Sequence, residues 1–156
     1  MKLISCTIEN FGKLNNVTYD FSGECNTICE DNGWGKSTLA SFIRVMFYGF
    51  KNESKKKLVD KERNRLMPWQ KGVYGGEIVF ETGGVVYSLR RTFGKKQVDD
   101  EFLLVRKDTN VECDDFSCDI GEELFKIDAQ SFERTVFIGQ SDCVTATTDS
   151  INAKIG

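Results

Sequence analysis

The stretch Glu30-Asp31-Asn32-Gly33-Trp34-Gly35-Lys36-Ser37-Thr38 decides how this chain reads. Before it, Asn26 to Cys29 reads as a short buried strand. After it, Leu39, Phe42, Ile43, Met46 and Phe47 recur at i, i+3, i+4, i+7 and i+8. That spacing is one buried face of a helix, which Gly49 can end as a C-cap. A glycine-containing loop between strand and helix turns successive backbone N–H groups inward, forming an anion nest at the helix N-terminus. Gly33 and Gly35 supply the unusual backbone angles and let phosphate oxygens approach without a Cβ. The pattern predicts a phosphate loop that takes ATP with Mg²⁺. Lys36 reaches the β- and γ-phosphates, Ser37 places its hydroxyl on Mg²⁺, and Thr38 bonds the α-phosphate region. Asn32, Gly33, Trp34 and Gly35 complete the cradle. One position departs from G-x-x-x-x-G-K-[ST]: Glu30 stands where the pattern has glycine. A carboxylate facing the anion would weaken binding.

Outward from the loop, Ile4, Cys6 and Ile8 alternate within a first strand, Lys2 to Glu9, which Asn10-Phe11-Gly12 breaks. Val17, Tyr19 and Phe21 alternate in a second, followed by a turn at Ser22-Gly23-Glu24. Lys51 to Arg65 is the polar stretch of the chain, with Lys55-Lys56-Lys57 and then Lys61, Arg63 and Arg65. It reads as a surface loop, either solvated or in contact with phosphates. Trp69, Gln70 and Tyr74 follow it; Trp69 and Tyr74 read first as core aromatics covering a hairpin, with stacking of one of them on a base as the open alternative. The hairpin is Gly75 to Phe80 and Val85 to Phe93 around Thr82-Gly83-Gly84. Arg90 and Arg91 on it face opposite ways, and one of them is a candidate neighbour of ATP. Phe102 to Arg106 extends the sheet and turns at Asp108-Thr109-Asn110. Ile120 to Phe125 reads as a helix, Asp128 as the cap of a second from Ala129 to Thr135, and Val136 to Ile138 as a short strand ending at Gly139-Gln140.

Length and composition frame these elements. The chain has 156 residues, 40% hydrophobic and 29% charged, which suits one sizeable core. No apolar run is long enough to span a bilayer, and the N-terminus does not read as a signal peptide, so a cytoplasmic protein without a membrane segment is expected. The six cysteines form no C-x-x-C pair and no histidine accompanies them. They read as small buried or half-buried thiols rather than disulfides or zinc ligands. The lack of histidine also excludes His-based acid–base chemistry within this chain. A net charge of −3 argues against wholesale electrostatic binding of DNA, while leaving room for a local basic patch.

Lys2-Leu3-Ile4, Ile8-Glu9-Asn10-Phe11-Gly12, Asn26-Thr27-Ile28 and the phosphate loop, in this order and spacing, resemble the N-terminal lobe of SbcC/RecF/SMC-type ABC ATPases. Ile127-Asp128-Ala129-Gln130-Ser131-Phe132-Glu133-Arg134-Thr135-Val136-Phe137-Ile138-Gly139-Gln140 resembles the same family's approach to its Q-loop. The resemblance implies an α/β P-loop NTPase lobe of ABC type with an antiparallel β-subdomain. Its segments would be a P-loop core over 1–50, a basic loop and β-subdomain over 51–112, and a helical and Q-loop segment over 113–156. It implies that Gln140 reaches Mg²⁺ and the attacking water. It further implies a C-terminal lobe of the same protein, a second head that dimerises on ATP, DNA and a nuclease as partners, and a role in DNA repair, recombination or defence. The chain carries no Walker B pair and no signature motif. The expectation is therefore one half of an ATPase, which binds ATP alone and hydrolyses it only with the missing lobe. Two alternatives stay open: a non-catalytic nucleotide-binding scaffold, and an ATPase subunit of an ABC transporter.

Overall fold

The computed structural model describes residues 1–21, 23–50 and 61–136. Lys55 to Lys57, the segment Phe137 to Gln140 with its Q-loop glutamine, and the tail to Gly156 lie outside the described residues.

Alternating apolar residues build one six-stranded antiparallel sheet in the order β2-β1-β3-β4-β5-β6. The strands are β1 Lys2–Phe11, β2 Leu14–Asp20, β3 Gly75–Thr82, β4 Val85–Thr92, β5 Glu101–Arg106 and β6 Val111–Glu112. Period-two alternation puts Cys6 and Ile8 of β1, Ile78 and Phe80 of β3, Leu89 of β4 and Leu104 of β5 in the core. The β3–β4 hairpin pairs Thr82 with Val85 across Gly83 and Gly84, both at positive φ.

Helix α1, Lys36–Tyr48, lies over this apolar face. Phe42, Val45 and Met46 are fully buried, and the Phe42 ring meets Phe11 edge-on at 5.2 Å. Gly76 makes the close approach possible. A Cβ there would stand 3.1 Å from Phe42 Cζ and 2.1 Å from the Thr7 carbonyl oxygen. Gly49 ends α1 with φ +69°, its N–H donating to the Val45 carbonyl at 2.7 Å. The short helix α2, Glu62–Arg65, precedes the hairpin; α3, Ile120–Phe125, and α4, Ala129–Thr135, close the far end of α1. Asp128 caps α4 by accepting from the Ser131 N–H at 2.7 Å.

The structure corrects three expectations. Asn26 to Cys29 is not a strand, because no described strand lies beside it to take its backbone N–H and C=O groups. Val136 ends α4, its N–H donating to the Phe132 carbonyl, and the rest of the strand expected over Val136 to Ile138 lies outside the described residues. Arg63, inside the polar run, is buried, because an aromatic cage and an aspartate receive it. Of the described thiols only Cys6 is buried and Cys113 half-buried; Cys25, Cys29 and Cys118 are exposed. Those three sit on connecting segments, where no second layer covers them.

Candidate functional site

The phosphate loop hangs between β2 and α1. The Trp34 N–H donates to the Asp31 carbonyl at 3.2 Å, closing a tight turn over Asn32 and Gly33. Gly33 has φ +87° and Gly35 φ +129°, backbone conformations that L side chains avoid. A Cβ on Gly35 would lie 2.9 Å from Leu14 Cδ2, so the loop packs on the start of β2 through the missing side chain. Trp34 turns away from the helix end and meets Tyr19 edge-on at 5.9 Å, pinning the loop to β2. Burial pushes the Tyr19 phenol above its ordinary pKa, with lesser contributions from Cys6 and Glu30.

Gly35 caps α1 without any side-chain hydrogen bond, and the first intrahelical bond runs from Leu39 N–H to the Gly35 carbonyl at 2.8 Å. The N–H groups of Lys36, Ser37 and Thr38 belong to the first helical turn, where they have no intrahelical partner. The Lys36 ammonium folds back over the loop and donates to the carbonyls of Glu30, at 2.5 Å, and Asp31, at 3.0 Å. These acceptors are neutral. A phosphate oxygen carries charge and makes a stronger bond, so the ammonium can exchange them for it. Glu30 thus contributes its backbone to holding the lysine, a role that does not require glycine.

Beside the loop opens a cleft of about 590 Å³. Gly12, Lys13, Ser37, Thr38, Ser41, Arg65, Leu66, Trp69 and Gln70 line it. Gly12, at φ +57°, lies so close to Thr38 that a Cβ would stand 2.9 Å from its methyl group. The Lys13 ammonium reaches along the loop to within 4.0 Å of the Cβ position of Gly33. A second cation therefore flanks the nest.

The expected loop residues Asn32 to Thr38 are brought together as one turn and helix start. Gln140 lies outside the described residues. Trp69, expected in the core, is 98% exposed at the cleft mouth, whereas Tyr74 is buried as expected. The difference has a physical cause: Tyr74 packs on Phe11, Phe50 and Phe93, and its hydroxyl finds the Arg63 carbonyl at 3.1 Å. Neither Arg90 nor Arg91 lines the cleft. Arg90 pairs with Glu9 on the open face of the sheet, and Arg91 is buried against Phe102 with its guanidinium donating to the Cys118 carbonyl. Lys13, Arg65 and Gln70 escape a sequence reading, because each lies in a turn or helix end remote from the loop. Among the described residues no cluster of three or more metal-ligating side chains occurs. Ser37 fits a metal held by a single protein hydroxyl plus phosphate oxygens, the arrangement Mg²⁺ prefers.

Residues 5–154 match the AAA domain family. The chain belongs to that family. An AAA domain is a P-loop nucleotide-binding domain of an ATPase class. A curated relative, the uncharacterized protein YhaN of Bacillus subtilis, is 35% identical over 82 residues. The alignment covers 52% of this AAA domain chain and 8% of YhaN, so the chain spans a small part of the relative it matches. No described helix is long and apolar enough to cross a membrane.

Proposed function

We propose that this AAA domain binds Mg²⁺-ATP with Lys36 on the β- and γ-phosphates, Ser37 on the metal and Thr38 at the α-phosphate, the nucleoside entering the cleft between Lys13 and Arg65. The observation that carries the reading is the loop itself. It combines positive-φ glycines, a first helical turn with open N–H groups and an adjoining cleft on the Thr38 side. The triphosphate's charge meets Lys36 and Lys13 together with the helix N-terminus, whose dipole favours anions.

The same chain is proposed to be the ATP-binding half of an SMC/SbcC-like ATPase head acting on DNA. Gln140 would reach the metal, and a C-terminal lobe and second head would supply the groups that order the attacking water. What supports a second lobe is the outer side of α1. There Phe21, Ile28, Leu39, Ala40 and Ile43 line a shallow apolar hollow of about 230 Å³ beside Lys36. Asn26 to Cys29, exposed except for half-buried Ile28, runs alongside with its backbone unpaired by any described strand. A lobe that adds a strand here would satisfy both features. A non-catalytic scaffold is the second reading, favoured by the lack of a Walker B pair in the chain.

The test is calorimetry with Mg²⁺-ATP together with steady-state phosphate release. The expected result is binding without useful turnover by the chain alone, and turnover when the rest of the protein is supplied. Turnover by the chain alone that matches the whole protein and disappears in Lys36→Ala would overturn the half-site reading. Absence of ATP binding would overturn the whole proposal.

A further inference from the structure

The geometry points to Trp69 as the surface on which the base of the bound nucleotide stacks, with purine nucleotides as the preferred class. The inference rests on the reading of the phosphate loop as the triphosphate site. Tryptophan carries a large apolar face that folding ordinarily covers, yet Trp69 is 98% exposed. No other large hydrophobic side chain described is as open.

Its place is specific. Trp69 and Gln70 line the same cleft as Ser37 and Thr38, the residues proposed for the metal and the α-phosphate. A nucleotide with its phosphates on the loop must send its ribose and base out past Thr38. The cleft beside Thr38, at about 590 Å³, falls in the range of small-ligand sites. Lys13 and Arg65 flank it, where they suit the α-phosphate and ribose oxygens.

The wall that carries Trp69 is fixed on both sides. Ahead of it, the Leu66 carbonyl accepts from the Gly12 N–H at 2.7 Å, tying the wall to the β1–β2 turn. Arg63 anchors the preceding helix turn through a two-point pair with Asp100 at 2.6 and 2.7 Å. Beyond it, Asn10 Nδ2 donates to the Val73 carbonyl at 3.1 Å. A ring exposed on an ordered wall offers its face at little further cost in ordering. Stacking on an aromatic ring accepts any base, and the bicyclic indole overlaps a purine more fully than a pyrimidine.

The experiment is calorimetry on the full chain with the Mg²⁺ complexes of ATP, CTP and inorganic triphosphate. Wild type, Trp69→Ala and Trp69→Phe are compared. Wild type is expected to bind ATP more tightly than CTP, and CTP more tightly than triphosphate. Trp69→Ala is expected to weaken ATP about tenfold, to narrow the ATP–CTP gap and to leave triphosphate unchanged. Trp69→Phe is expected to retain most of the ATP affinity. Because the side chain is exposed, the thermal midpoint of each variant should equal that of wild type. Unchanged ATP affinity in Trp69→Ala, or an equal fall for ATP and triphosphate, would overturn the role of Trp69 while the phosphate loop stands. A wild type that binds none of the three would overturn the phosphate-loop reading and this inference with it.

Discussion

Arg63 and Asp100 form a fork-to-fork ion pair, Nη1 to Oδ1 at 2.6 Å and Nη2 to Oδ2 at 2.7 Å, across 37 residues of sequence. The same guanidinium donates to the Gly94 carbonyl at 3.0 Å and lies 4.7 Å over the Phe50 ring. Its neighbour in the sequence, Glu62, pairs with the buried Arg44 of α1, whose Nε also reaches Glu133 of α4 at 3.2 Å. The cleft wall is thereby tied to the β4–β5 connection through Arg63 and to α1 through Glu62.

Removing buried Arg63 should leave half-buried Asp100 without its cationic partner. Arg63→Met is expected to cost about 3–5 kcal/mol of folding stability, whereas Arg63→Met with Asp100→Leu should recover part of the loss. Urea denaturation of wild type, the two single variants and the double variant measures the coupling. Additive losses would show that the two side chains do not act as a pair.

Lys36→Ala removes the ammonium that would exchange loop carbonyls for phosphate oxygens. A charge-assisted contact of this kind is worth about 1.5–3 kcal/mol, so affinity for Mg²⁺-ATP should fall at least tenfold. Calorimetry decides. Equal affinities would sink the assignment of the loop.

Gly35→Ala meets two obstacles at once: φ +129° and a contact of 2.9 Å with Leu14 Cδ2. Strain of this kind costs on the order of 1–3 kcal/mol, and nucleotide binding should be lost with it. Adding Leu14→Ala opens the space but leaves the backbone angle, so the double variant should still not bind. Recovery of binding in the double variant would mean that crowding alone, not backbone conformation, requires glycine.

Asp115 gives a pH-dependent term. A hydrogen bond from Arg106 first, and another from the Tyr87 hydroxyl, hold its carboxyl below the ordinary value of 3.8. As pH falls, the unfolded chain takes up this proton before the folded one does. The contribution is therefore full above the ordinary carboxylate pKa and disappears as pH drops through the lower folded value. The difference in urea midpoint between wild type and Asp115→Asn should be largest near neutral pH and shrink below about pH 4. A difference that stays constant down to acid pH would exclude ionised Asp115 as its source.

Local patterns carried much of the fold. The i, i+3, i+7 spacing of Leu39, Phe42 and Met46 placed α1, and Gly83-Gly84 placed the hairpin. Asp128 marked the start of α4. Each signal lies within a few residues of what it specifies. Asn26 to Cys29 failed for the complementary reason: a strand is a property of two segments, and its apolar residues do not name a neighbour.

The sequence by itself determined the make-up of the loop, because the glycines, Lys36, Ser37 and Thr38 proposed to take one phosphate chain stand within a few positions of one another. Tertiary structure alone decided what lines the cleft beside them. Lys13 arrives from the β1–β2 turn, and Arg65, Trp69 and Gln70 arrive from the segment at and after α2. It also decided that Tyr74 goes inside and Trp69 outside, and that Arg63, within the polar run of the sequence, is buried. Burying a ring depends on the rings it meets, and burying a charge depends on an opposite charge at hydrogen-bond distance. For Arg63 that charge is Asp100, which neighbours it only once the chain has folded.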